Sequence, residues 1–174
     1  KLVDVIAEEV DHLPTKIALR EAASANKIPL FSITDNGDGI IADVERYDQG
    51  FDIKYFYKRL KKMPPFGSAQ GRTDKKDLKI RDILKIVSNF IGLKDIETRM
   101  LDSGVKVGTE LYSWPQLGGA AVLSGVVGAY IARQIINKKE LKSGRYVISL
   151  PDVFSLREKN DKKLRKKLLK YYKY

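Results

Sequence analysis

The stretch Val3–Lys16, VDVIAEEVDHLPTK, constrains the fold more than any other part of the chain. An apolar run (Leu2, Val3, Val5, Ile6) ends in the acids Glu8, Glu9 and Asp11. A single His12 follows, and Pro14-Thr15-Lys16 opens a helical stretch. Proline suits a first helical turn, where its missing N–H has no partner to lose. Apolar strand, polar turn and helix start are the parts from which an open α/β sheet builds a ligand site, in the crevice at the carboxyl ends of its strands. The acids occupy that end.

The next residues complete a unit. Leu13–Asn26 reads as a helix with Ile17, Ala18, Ala22 and Ala25 on one narrow apolar face. Lys27-Ile28-Pro29 ends it, and Leu30–Ile33 reads as a short buried strand. Thr34–Gly39 (TDNGDG) has the glycines and Asx residues of a tight turn, and Ile40–Tyr47 returns as a strand. Strand–helix–strand is the crossover of a parallel sheet, here followed by a hairpin or by a strand that leaves it.

Further on, Phe51–Lys62 reads as helical, Met63–Asp74 as a mobile loop and Asp77–Ile91 as an amphipathic helix, with a shorter helix over Leu93–Leu101. Leu117–Ala132 holds sixteen residues without a charge. A membrane span needs roughly 20 such residues, and Arg133 interrupts the run. The expectation is a buried helix of a soluble protein, not a membrane span. Its glycines would let it lie close against a sheet, so that Gly125→Leu overpacks by about 1–3 kcal/mol. Gly144–Leu150 is expected as a strand. Ser155–Tyr174 is expected as a basic helix with Leu164, Leu168 and Tyr171 on one side.

With no cysteine, disulfides, zinc–thiolate sites and thioester-forming nucleophiles are excluded. The one histidine is His12, and no G-x-S-x-G appears, so no hydrolase set exists. Asn36, Asp38, Gly39 and Glu45 imitate an EF-hand loop, but Thr34 opens it and strands flank it; the reading is a turn. Gly67–Gly71 lacks a following Lys-Ser/Thr and reads as a loop. Of the net charge of +11, Arg157–Tyr174 carries nine Lys or Arg against Glu158 and Asp161. No signal peptide is visible, and a cytoplasmic bacterial protein is expected. The start in mid-strand, without Met, suggests a piece of a longer chain. The expected division is 1–154 as one α/β domain and 155–174 as a basic helical tail.

Several short motifs recur in a family order. They are Glu8-Glu9-Val10-Asp11, Lys16–Ala22 (KIALREA), Ile28-Pro29-Leu30-Phe31, Asp43–Asp48 (DVERYD), Trp114-Pro115-Gln116-Leu117 and Ser143-Gly144-Arg145-Tyr146. Together they resemble the ThiF/MoeB/E1-like superfamily of ATP-dependent adenylating enzymes, over nearly Lys1–Phe154. The closest likeness is to ThiF-type domains of long bacterial proteins, some fused to a nitroreductase-like domain. The resemblance implies the C-terminal part of a Rossmann-like α/β domain, with a mainly parallel sheet and flanking helices. It implies Asp11 beside the ATP phosphates and Mg²⁺, and Lys16 as a monodentate phosphate contact where many members have arginine. No catalytic residue is implied. The glycine-rich nucleotide fingerprint is absent from the chain. The expected role is therefore part of an adenylating domain that is not competent alone, with the domain's other half, a neighbouring domain or a second copy as partner. Independently of the resemblance, Asp11 also reads as a simple helix cap. The alternative function is a non-catalytic interaction or nucleic-acid-binding module that uses the basic tail.

Overall fold

The computed structural model describes residues 3–60, 91–156 and 161–172. In chain order the elements are β1 (Ile6–Glu8), α1 (Leu13–Ala25), β2 (Leu30–Asp35), β3 (Gly39–Glu45), a 3-10 turn (Tyr47–Gln49), α2 (Lys54–Leu60), α3 (Thr98–Lys106), α4 (Gly118–Ile136), β4 (Gly144–Ser149), α5 (Leu150–Val153) and α6 (Asp161–Tyr172). The loop expected over Met63–Asp74 and, apart from Ile91, the helix expected over Asp77–Ile91 lie outside the described residues. The chain forms two compact units: Lys1–Tyr55 with Gln116–Phe154, and Phe56–Pro115 with Ser155–Tyr174.

The first unit is an α/β layer structure on a four-stranded sheet of order β1-β2-β3-β4. The strands β1 and β2 are parallel and joined through α1, the expected crossover. The sheet is mixed, however, rather than mainly parallel: β3 runs antiparallel to both β2 and β4. The reason is the length of the link. Only Asn36-Gly37-Asp38 joins β2 to β3, whereas a parallel return needs a dozen or more residues. Gly37 takes φ 65° there, and the Asn36 N–H donates to the Gly39 carbonyl, closing a hairpin over TDNGDG.

Strand alternation gives the sheet two unlike faces. Phe31 and Ile33 of β2, with Ile40, Ala42 and Val44 of β3, pack against Ile131 and Ile135 of α4. Helix α4 is thus buried along one side only. Val122, Val126 and Tyr130 are exposed, and 17% of its most apolar window is buried. Among the described residues it is the one helix long and apolar enough to cross a membrane, by length and composition alone. Its glycines do not behave as the sequence suggests. A Cβ on Gly125 would meet nothing within 4 Å, and one on Gly128 would make ordinary contact with Ile33 and Phe31, at 3.4 and 3.5 Å. The expected overpacking at Gly125 is therefore wrong: that glycine faces open space.

The opposite face lies under α1, where Ala23 packs with Leu30 and Tyr47. The predicted apolar stripe of α1 is rotated away. Its buried residues are Arg20 and Ala23, while Ala18, Ala22 and Ala25 are exposed. An ion network described below sets this rotation.

In the second unit, Ile96, Met100 and Leu101 cluster with Leu168 and Tyr172. The helix expected over Leu93–Leu101 runs instead from Thr98 to Lys106, because a turn closed by the Asp95 N–H on the Gly92 carbonyl precedes it. In α6 the inward side is Leu168 and Tyr172; Leu164 and Tyr171, expected on that side, are exposed.

Candidate functional site

The acids at the end of β1 divide between the two faces of the sheet. Glu8 turns under α1 and is buried; Glu9 and Asp11 face a cleft on the α4 side and are exposed. Glu8 accepts a hydrogen bond at Oε1 from Lys16 Nζ (2.7 Å) and at Oε2 from Arg20 Nη1 (2.9 Å). Arg20 donates in turn from Nε to Glu45 Oε1 at the end of β3 (2.9 Å) and from Nη2 to Ser32 Oγ on β2 (3.2 Å). The Tyr47 hydroxyl closes the chain on Glu45 Oε2. Beside it, Arg145 of β4 grips Asp43 with two bonds, at 2.8 and 2.7 Å.

Buried charges hold in a protein when paired and fully hydrogen-bonded. Here three cations (Lys16, Arg20, Arg145) meet three carboxylates (Glu8, Asp43, Glu45), all on one face of one sheet. Burial pulls the Arg20 guanidinium toward losing its proton. Glu45 and Glu8 outweigh that and hold its pKa above the ordinary value. The spacing of Lys16 and Arg20, four residues apart on α1, fixes both above the ends of β1 and β3. This is why the helix presents cations rather than alanines to the sheet.

On the other face, a cleft of about 690 Å³ opens at the carboxyl ends of β1 and β2. Its floor is Ala7, Phe31 and Ile33, and its far wall is the small-residue side of α4, including Gly125 and Gly128. Glu9, Asp11, Lys16 and Asp35 give it a charged rim. Ser124 of α4 donates to Asp35 Oδ1 at 2.7 Å and joins the two walls. Partial burial, then the neighbouring Glu8 charge, raise the pKa of Glu9 above its ordinary value.

Asp11 and Lys16, the two residues singled out from sequence, thus line one cleft. Lys16 reaches it while paired with Glu8. Asp11 is not the cap of α1: the N-cap is His12, without a side-chain capping bond, and its Nδ1 lies 2.8 Å from Thr15 Oγ1. The EF-hand-like stretch is the β2–β3 hairpin, and its Glu45 is held by Arg20. Among the described residues no three His, Cys, Asp or Glu side chains converge as a metal cage. Sequence reasoning missed Arg20, Glu45 and Ser124. The first two are foreshadowed by the i, i+4 pair of cations opposite acids at two strand ends; nothing in the sequence marks Ser124.

No family model matches the chain, and no solved structure does. An uncharacterized protein of Mycobacterium tuberculosis is 32% identical to it over 144 residues, which is 82% of this chain and 19% of that protein. The chain therefore spans about a fifth of the length of the curated relative it matches.

Proposed function

We propose that residues Lys1–Phe154 form the C-terminal part of a ThiF/E1-like, Rossmann-like domain, in a protein that activates a carboxylate by ATP-dependent adenylation. The observation that carries this reading is the cleft at the carboxyl ends of β1 and β2, with Asp11 and Lys16 on its rim. The element order adds support: a β1–α1–β2 crossover, an antiparallel β3, a glycine-rich α4 and a returning β4. In this reading Asp11 holds the Mg²⁺ of Mg·ATP, and Lys16, braced by Glu8, offers a single point charge to a phosphate. The small-residue wall of α4 shapes the apolar side of the cleft, where the acyl substrate would lie. In this reading the glycine-rich fingerprint, absent here, belongs to another part of the parent protein, and an E1-type thioester has no cysteine here to form on.

Calorimetry of Mg·ATP binding tests the reading, on the chain and on Asp11→Ala, in moderate salt that screens non-specific attraction to lysines. Binding that is lost in Asp11→Ala is expected. Binding that survives Asp11→Ala unchanged would overturn it.

A further inference from the structure

The net charge of the chain is not shared between its two units. The first holds 11 lysines and arginines against 13 acids, a net of −2; the second holds 22 against nine, a net of +13. All of the positive excess therefore belongs to a unit assembled from two separate stretches of sequence. Such a field attracts polyanions and raises their rate of encounter.

Helix α6 shows how part of that charge is displayed. Its inward side is Leu168 and Tyr172, clustered with Met100 and Leu101. Opposite stand five exposed lysines: 162, 166 and 170 in one row, 163 and 167 in a second. Within a row the lysines are four residues apart, a rise of about 6 Å. Arg165 is not among them. Its guanidinium is spent on the carbonyls of Leu93, Lys94 and Ile96, at 2.7, 2.9 and 2.5 Å. The helix thus sorts its cations, one turned inward as a structural anchor and five outward.

We infer that this lysine face binds the phosphate backbone of a nucleic acid. Duplex DNA carries one negative charge per about 1.7 Å of axis, and lysines that neutralise phosphates release its condensed counterions. The competing polyanion is an anionic membrane surface. An interfacial helix binds there by sinking an apolar face among the acyl chains. In α6 the centre of that face, Leu168 and Tyr172, is closed within the unit, and only Leu164 and Tyr171 beside it are exposed, an apolar strip narrower than the lysine face, which favours the nucleic acid.

The test is fluorescence anisotropy with a labelled duplex of about 20 base pairs, titrated with the full chain at several salt concentrations between about 50 and 250 mM. Binding should weaken steeply with salt. Lys163→Gln with Lys167→Gln should flatten the log–log salt slope by about 1.8, at about 0.9 per phosphate contact. Replacing all five lysines by Gln should abolish binding at about 100 mM salt, with an unchanged circular dichroism spectrum. Lys138→Gln, Lys139→Gln and Lys142→Gln together, exposed lysines of the first unit, should leave binding as it was. The inference is overturned by any of three results: no binding at 50 mM salt, full binding by the five-lysine variant, or tighter binding to phosphatidylserine vesicles than to the duplex at equal salt. It stands or falls independently of Mg·ATP binding, which Asp11→Ala reports.

Discussion

Arg20 and Glu45, twenty-five positions apart in the sequence, meet at 2.9 Å in the interior of the first unit. The guanidinium is 1% exposed and also holds Glu8. One cation thus joins the end of β1, the middle of β2 through Ser32, and the end of β3. It positions the strand ends that frame the cleft.

Removing Arg20 leaves two carboxylates buried without their main partner. Arg20→Met should cost about 3–5 kcal/mol, the range for breaking a buried ion pair from one side. Arg20→Lys should recover only part of this, because an ammonium cannot fork between Glu8 and Glu45. Urea unfolding followed by circular dichroism measures both; a loss below about 1 kcal/mol for Arg20→Met would mean that water reaches the network.

The glycines make opposite predictions in the two units. Gly125 sits in mid-helix with nothing within 4 Å of its missing Cβ. Gly125→Ala should therefore stabilise by about 0.5–1 kcal/mol, the helix-propensity difference, while narrowing the cleft. In α3 a Cβ on Gly104 would stand 2.9 and 3.0 Å from ring atoms of Trp114 and would collide with the Tyr172 hydroxyl. Gly104→Ala should cost about 1–3 kcal/mol by overpacking. Thermal melts of the two variants should move in opposite directions.

The Tyr172 hydroxyl donates to the Leu101 carbonyl at 2.7 Å inside the second unit. Burial first, then Tyr171 and Asp102, push its pKa up to about 12, from an ordinary 10.0. The folded state thus keeps the proton more tightly than the unfolded state does. Its contribution is complete below pH 10 and is lost as pH rises through 12. At neutral pH Tyr172→Phe should be less stable by about 0.5–1.5 kcal/mol for the lost hydrogen bond. That deficit should shrink or reverse between pH 10 and 12; parallel curves for the two proteins would contradict it.

The local features of the sequence were readable where one physical effect dominated. TDNGDG makes its hairpin because glycine and Asx residues accept the backbone that a three-residue link demands. The β1–α1–β2 crossover followed from an apolar run, a proline-led helix and a second apolar run. Helix α1 was misjudged because apolar periodicity assumes a dry partner, and here charges set the rotation through contacts with Glu8 and Glu45. The sheet was expected to be mainly parallel, yet the same short hairpin link reverses β3. Asp11 and Lys16 were visible as chemistry at a strand end. The cleft beside them was not, because its wall is α4, more than a hundred residues later. The charge partition was hidden for the same reason: the second unit joins two distant stretches through pairs such as Leu101 and Tyr172.

Two neighbouring cations on α6 give the last prediction. Arg165 donates to three backbone carbonyls and lies 3.5 Å from Thr98 Oγ1 at the start of α3. Lys166, the next residue, is exposed. Each removes one positive charge when replaced, so their effects on the long-range field are the same. Their effects on folding should differ. Arg165→Ala strips charge-assisted bonds from carbonyls of the Leu93–Ile96 turn and should cost about 1.5–3 kcal/mol. Lys166→Ala touches no such contact and should stay within about 0.5 kcal/mol of the parent chain, as an ordinary surface change does. Denaturant midpoints that moved equally would mean that the Arg165 anchor contributes no more than its charge, and that the turn before α3 is held by Ile96 and its apolar neighbours alone.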